Sequence, residues 1–229
     1  MEEVDGILVA AHELKAPLAV LRQLALSFDE MDSTNEHIRS EIISISERAI
    51  RQVNDLTKIR RLEDGLFAME PVAIRAVCDD VTHELRHLLS DSNGQNLHLS
   101  TKYTNHARLV YANRELLYSV IYNFLLNAIH YASNDTHTKL VVGDTKNRVK
   151  ISIRDYGPAL PASIWRTIKS GSINQPVDIV MRPGSSGLGL YIAAKFSHYM
   201  GAQIGAIRHR DGTSFFVELP ISKQASLFS

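Results

Sequence analysis

Apolar side chains fall at Val4, Ile7, Ala11, Leu14, Leu18, Leu21, Ala25 and Phe28, so steps of three and four residues alternate along this stretch. Such a seam keeps one stripe of a helix turned toward a supercoiled partner. The polar run Asp32-Ser33-Thr34-Asn35 then interrupts the pattern with residue types that cap helix N-termini. Beyond it Ile38, Ile42, Ile45, Ala49, Leu56 and Ile59 predict a second helix reaching about Glu63, its stripe broken at Gln52. The two helices form an antiparallel hairpin. A lone hairpin cannot cover both stripes, so the pattern predicts a homodimer in which two chains pair into a four-helix bundle.

The texture changes at Gly65. Residues 66–71 read as a short strand and 72–89 as an amphipathic helix, followed by a turn near Asn93-Gly94. Strands are predicted over 96–103, 140–143, 149–155, 203–207 and 214–219, and helices over 114–132 and 188–200. The expected fold class is α+β: a helical hairpin over residues 1–65, then a two-layer α/β sandwich over 66–229. The segment 170–187 is rich in Ser, Gly, Pro and Asn and is long for a loop, as lids often are.

Composition narrows the function classes. A chain of 229 residues favours two modest domains, and 45% apolar with 22% charged residues is ordinary for a folded globular protein. Lys+Arg 25 against Asp+Glu 25 leaves no net positive field, which argues against nucleic acid as a main partner. Cys78 is the single cysteine, so no internal disulfide forms; its apolar surroundings predict a small buried thiol in a reducing compartment. No apolar run approaches the ~18 residues that would span a bilayer, which predicts a cytoplasmic chain, membrane-attached only through other segments.

Five constellations carry candidate chemistry. In HELKAPL, residues 12–18, His12 follows the seam residue Ala11 and is turned about 100° from the core. An outward imidazole is mostly neutral at pH 7 and keeps a nitrogen lone pair for nucleophilic attack. Glu13 can accept the other ring proton, and Pro17 deprives the Glu13 carbonyl of its helical partner, bending the helix there. On this segment alone a merely solvated histidine fits equally well. In LLYSVIYNFLLNAIHYA, residues 116–132, Asn123 and Asn127 share a helical face, and amides in an apolar helix need partners. The Asn127 carbonyl oxygen suits Mg²⁺ beside phosphate oxygens, although capping of nearby turns is an open alternative. In DYGPALP, residues 155–161, Asp155 supplies an acceptor and Gly157 admits a ligand close to the backbone. In GSSGLGLYIAAKF, residues 184–196, Gly187 and Gly189 open a helix whose amides favour phosphate, but Ile192 stands where a dinucleotide fingerprint needs glycine. DGTSFFVELP, residues 211–220, is a turn and a final strand.

In this order and spacing the five segments resemble the histidine protein kinases of two-component signalling, over almost the whole chain. HELKAPL resembles the phosphoacceptor box, NFLLNAIHYA the N box, DYGPALP and GSSGLGL the glycine boxes, and DGTSFFVELP the closing strand. The resemblance implies that His12 takes the γ-phosphate of ATP with Glu13 as base, that Asn127 holds Mg²⁺, and that Asp155 hydrogen-bonds the adenine amino group. It further implies that Gly157, Gly187 and Gly189 shape the nucleotide loops and that Asn123, His130, Tyr131, Leu188 and Thr213 line the site, with residues 170–184 as lid. An aspartate on the receiver domain of a response regulator would then accept the phosphoryl group. Ala16 stands where the family usually has Thr or Asn. Ala159 and Ser185 replace customary glycines, His130 stands where a phosphate-contacting lysine is common, and Trp165 is the nearest stand-in for a missing phenylalanine box. These departures imply an atypical lid.

HELRH, residues 83–87, also fits the HExxH zinc-protease pattern, but no extension with a third ligand follows. Val77, Val81, Leu85 and Leu88 make an ordinary packed helix the better reading. Two further readings are a degenerate kinase that senses nucleotide without transferring phosphate and a gyrase-type ATPase, which would lack the preceding histidine hairpin.

Overall fold

The computed structural model describes residues 18–23, 25–26, 33–90, 99–104, 109–131, 137–145, 147–171, 173 and 187–223. The chain divides into two units, one of residues 1–66 with 86–96 and the other of residues 67–85 with 97–229.

In the first unit residues 18–23 and 25–26 are helical, and α1 runs over Ser33–Glu63, beginning within the predicted polar break. Arg22 Nε lies 3.5 Å from Glu47 Oε1 on α1. Ala25 and Val53 are buried. The predicted stripe is incompletely covered within one chain: Leu21 is 50% exposed and Ile45 48%. Residues 12–17 of the histidine motif lie outside the described residues.

The second unit is built on a five-stranded sheet in the order β2-β4-β5-β7-β6. Its strands are β2 (Leu99–Tyr103), β4 (Thr138–Asp144), β5 (Arg148–Arg154), β6 (Gln203–His209) and β7 (Gly212–Pro220). β2 pairs with β4 in parallel, and the other pairings are antiparallel, with Ile151 opposite both Val142 and Val217. Alternation on β5 buries Val149, Ile151 and Ile153 on one face. That face carries the helical layer: α2 (Ile74–Ser90, in this unit up to Leu85), α3 (Arg114–Tyr131) and α5 (Leu188–Tyr199). Leu116, Leu117, Ile121, Phe124 and Leu125 of α3 and Leu190, Ile192 and Phe196 of α5 are fully buried. Each such side chain contributes about 1.5 to 3 kcal/mol of transfer free energy. Phe124 meets Phe215 of β7 with ring centroids 5.8 Å apart, tying α3 to the sheet. Cys78 is buried as expected, and desolvation followed by the nearby Asp79 charge pushes its thiol up to about 12, which leaves it unreactive.

Three features depart from the sequence expectation. The strand predicted over 66–71 is β1 (Glu70–Ala73) instead, because Phe67 is taken into an edge-on contact with Tyr199 at 6.2 Å. β1 pairs with β3 (Leu109–Ala112), which was not predicted; its alternation spans four residues only. The helix α4 (Ala162–Ser170) was not predicted either, since Ile164 and Ile168 are its only buried residues. It lies against the edge strand β6, where Trp165 Nε1 donates to the Ala206 carbonyl at 3.0 Å. That bond occupies an edge acceptor otherwise open to pairing with another chain.

Candidate nucleotide site

Asp155 follows the last residue of β5 and is 3% exposed. Its backbone N–H donates to the Thr213 carbonyl at 2.9 Å, continuing the β5–β7 ladder by one bond. Its Oδ1 accepts two backbone amides, Gly157 N–H at 3.0 Å and Thr213 N–H at 3.1 Å. Both bonds use the same oxygen, so Oδ2 remains as the acceptor a ligand can meet. Burial raises the Asp155 pKa, and the two amides, Arg154 and His209 oppose that rise without cancelling it.

Gly212 explains how Thr213 comes so close. Its φ is +132°, and a Cβ there would lie 2.3 Å from the Asp155 carbonyl oxygen and 2.9 Å from Oδ1. No side chain fits. Gly212→Ala is therefore expected to destabilise the unit by about 2 to 4 kcal/mol, the cost of a strained φ plus the displaced aspartate. Thermal unfolding checks it: an unchanged Tm would show that the turn relaxes freely.

The turn is flanked by charge and aromatic surface. Arg154 pairs with Asp211 at 2.6 Å, and its guanidinium lies 4.6 Å from the Tyr156 ring centroid. His209 Nε2 and Ser214 Oγ are 2.9 Å apart on the neighbouring strands.

The start of α5 meets α3 here. Gly187 is the N-cap in the left-handed conformation, φ +68°, and Tyr191 N–H bonds its carbonyl at 3.1 Å. A helix beginning with Leu188 and Gly189 directs amides and a positive dipole end outward, a ready site for phosphate. A Cβ on Gly189 would come 2.8 Å from Asn123 Oδ1, so the glycine lets α5 begin directly against that amide. Asn123 is 5% exposed and donates from Nδ2 to the Ser119 carbonyl at 2.8 Å. Asn127, one turn further on, is half-buried, and no hydrogen bond engages its side chain among the described residues.

The geometry thus joins Asp155 to Gly157 and Thr213, and Gly189 to Asn123. His130 and Tyr131 close α3 with their side chains outside the described residues, as are His12, Glu13, and Ser172 and residues 174–184 of the expected lid. Two contributors escaped the sequence reading. Gly212 was signalled only by its Asp-Gly turn, and nothing in the pattern announces the His209–Ser214 pair. No group of three or more His, Cys, Asp or Glu side chains suited to a metal ion occurs among the described residues.

A sheet backed by helices, with a buried carboxylate at a strand end and a separate glycine-opened helix start, has the parts of a nucleotide-binding sandwich. Residues 112–223 match the histidine kinase-, DNA gyrase B- and HSP90-like ATPase family. The chain is 28% identical to the adaptive-response sensory kinase SasA of Synechocystis sp., over 95% of its own length and 59% of that protein. With the alginate biosynthesis sensor protein KinB of Pseudomonas aeruginosa it shares 25% identity over 95% of this chain and 37% of that one. It therefore spans less than two thirds of these relatives. In fold it is similar to full-length ShkA solved with AMPPNP, with a TM-score of 0.68, 19% identity and coverage of 97% of this chain and 47% of that one. The histidine kinase AdeS of Acinetobacter baumannii gives 0.59, 16%, 93% and 98%. Residues 112–223 thus carry the ATPase domain of that family, and over most of its length the chain is similar to proteins named as sensory or sensor histidine kinases.

Proposed function

We propose that the chain is a kinase core that binds Mg-ATP at the Asp155 site, transfers the γ-phosphoryl group to His12, and passes it to a response-regulator aspartate. The observation that carries this reading is Asp155 itself, with Oδ1 fixed by Gly157 and Thr213 and Oδ2 left to accept from a 6-amino purine. A 6-oxo purine would present an acceptor to that acceptor. ATP is thus expected to bind one to one, and GTP about 100-fold more weakly, as buried acceptor pairs without a proton cost about 3 kcal/mol.

Leu188 and Gly189 at the start of α5 receive the phosphates, and Asn123 holds that helix start in place. Asn127 offers Oδ1 to Mg²⁺, and an ion with one protein ligand takes its remaining ligands from phosphate and water, as Mg²⁺ commonly does. The ion supplies charge neutralisation. Replacing Asn127 by Ala is expected to raise the Mg²⁺ concentration for half-maximal labelling at least about tenfold. Labelling with an unaltered Mg²⁺ dependence would remove Asn127 from this role.

At His12 a ring nitrogen forms a bond to the γ-phosphorus as the bond to the β–γ bridging oxygen breaks, ADP leaving. Glu13 takes the proton from the other ring nitrogen. Such a transfer needs positioning more than covalent assistance. Dimerisation through a four-helix bundle is supported by the half-exposed Leu21 and Ile45, which lie on the two stripes. The need for ATP supports a cytoplasmic location for the core. Among the described residues no helix is long and apolar enough to cross a membrane.

A further inference from the structure

The second unit holds a cavity of about 600 Å³ away from the Asp155 site, between the end of α4, the second half of α5 and the start of β6. Gln203 and Ile204 at the beginning of β6 line it, whereas His209 at the other end of that strand faces Ser214 beside the nucleotide turn. A strand of this length spans about 20 Å. Along α5 the separation runs the same way: Gly189 opens the helix, and the cavity residues Ala194, Ser197 and His198 lie in its later turns.

The lining has two characters. Ile168, Ile173, Ile204 and Ala194 make an apolar wall. Lys169, Lys195 and His198 supply basic groups, and among the described residues no Asp or Glu lines the cavity. Lys169 Nζ lies 4.8 Å from the Trp165 ring centroid and Lys195 Nζ 5.3 Å from that of Tyr191. The rings hold the ammonium groups without neutralising them, and neither lysine meets a carboxylate among the described residues. Ser197, which also lines the cavity, is 1% exposed, and its hydroxyl has no hydrogen-bond partner among the described residues. A buried hydroxyl left unpaired costs on the order of 1 to 3 kcal/mol.

We propose that this cavity binds a small organic anion, a carboxylate on an apolar body, as a ligand separate from the nucleotide. The apolar wall takes the body and the lysines take the head. A carboxylate suits the site better than a phosphate monoester because α4 and α5 both end here, and the negative ends of their dipoles weaken attraction for a dianion. Size agrees as well, since ligand cavities run from about 300 to 1,000 Å³.

Octanoate is the probe, titrated without nucleotide into the full chain while backbone amide resonances are followed. Saturable one-to-one shifts are expected at Gly171, Ile173, Lys195 and Ala202. Octanamide, which lacks the charge, is expected to bind at least about fivefold more weakly, and the double variant Lys169→Gln, Lys195→Gln should lose affinity for octanoate by a similar factor. Shifts absent from these residues, equal affinity for octanamide, or an unchanged affinity in the double variant would each overturn the proposal. Tighter binding of octyl phosphate would overturn the choice of head group. Because nucleotide takes no part in the titration, failure of the Asp155 reading leaves this result standing, and the converse holds.

Discussion

Replacing Asp155 by Asn is expected to lower ATP affinity about 100-fold while leaving the fold in place. The substituted amide can keep its oxygen on the Gly157 and Thr213 N–H groups, because those bonds ask only for an acceptor. Its nitrogen then occupies the Oδ2 position and presents a proton to the adenine amino proton. A lost charge-assisted bond together with two opposed donors is worth about 3 kcal/mol, hence the factor. The same change favours a 6-oxo purine, so affinity for inosine triphosphate should hold or improve. Calorimetric titration with both nucleotides checks the pair of outcomes; equal losses for both would mean that Asp155 serves only to shape the turn.

The raised pKa of Asp155 adds a pH dependence. Burial makes the carboxylate take up a proton at higher pH than an exposed aspartate would, so nucleotide affinity falls early on acidification. Fold stability runs the other way. A pKa raised by folding contributes stability that is complete below the unfolded value and lost as pH rises through the folded one.

Long periodic elements were legible in the sequence. The alternation on β5 and β7 and the apolar mass of α3 and α5 each follow from residues that must face one core. What could not be read was set by distant contacts. β3 owes its existence to β1, and a ladder of four residues leaves no local pattern strong enough to see; β2 was legible as a strand, but not its parallel pairing with a neighbour far along the chain. Phe67 was apolar enough to extend a strand, and only the position of Tyr199 shows why it does not. Within the site, Asp155, Gly157, Gly187 and Gly189 were recognisable from their motifs, and Asn123 from its place on an apolar helix. Gly212 was not, because its requirement comes from the aspartate folded over it.

The second large effect concerns His12. Its imidazole is the acceptor in the proposed transfer, and glutamine has no ring nitrogen to form a phosphoramidate. His12→Gln is expected to abolish labelling while ATP affinity, which depends on residues of the other unit, stays unchanged. Binding without labelling in the wild-type chain would instead describe a nucleotide sensor that transfers nothing. The decisive measurement is incubation of wild-type protein and the His12→Gln variant with γ-labelled ATP and Mg²⁺, followed by acid and alkali treatment. The account predicts label on the wild type alone, lost in acid and retained in alkali. Equal labelling of the two proteins, or none on the wild type, would contradict it.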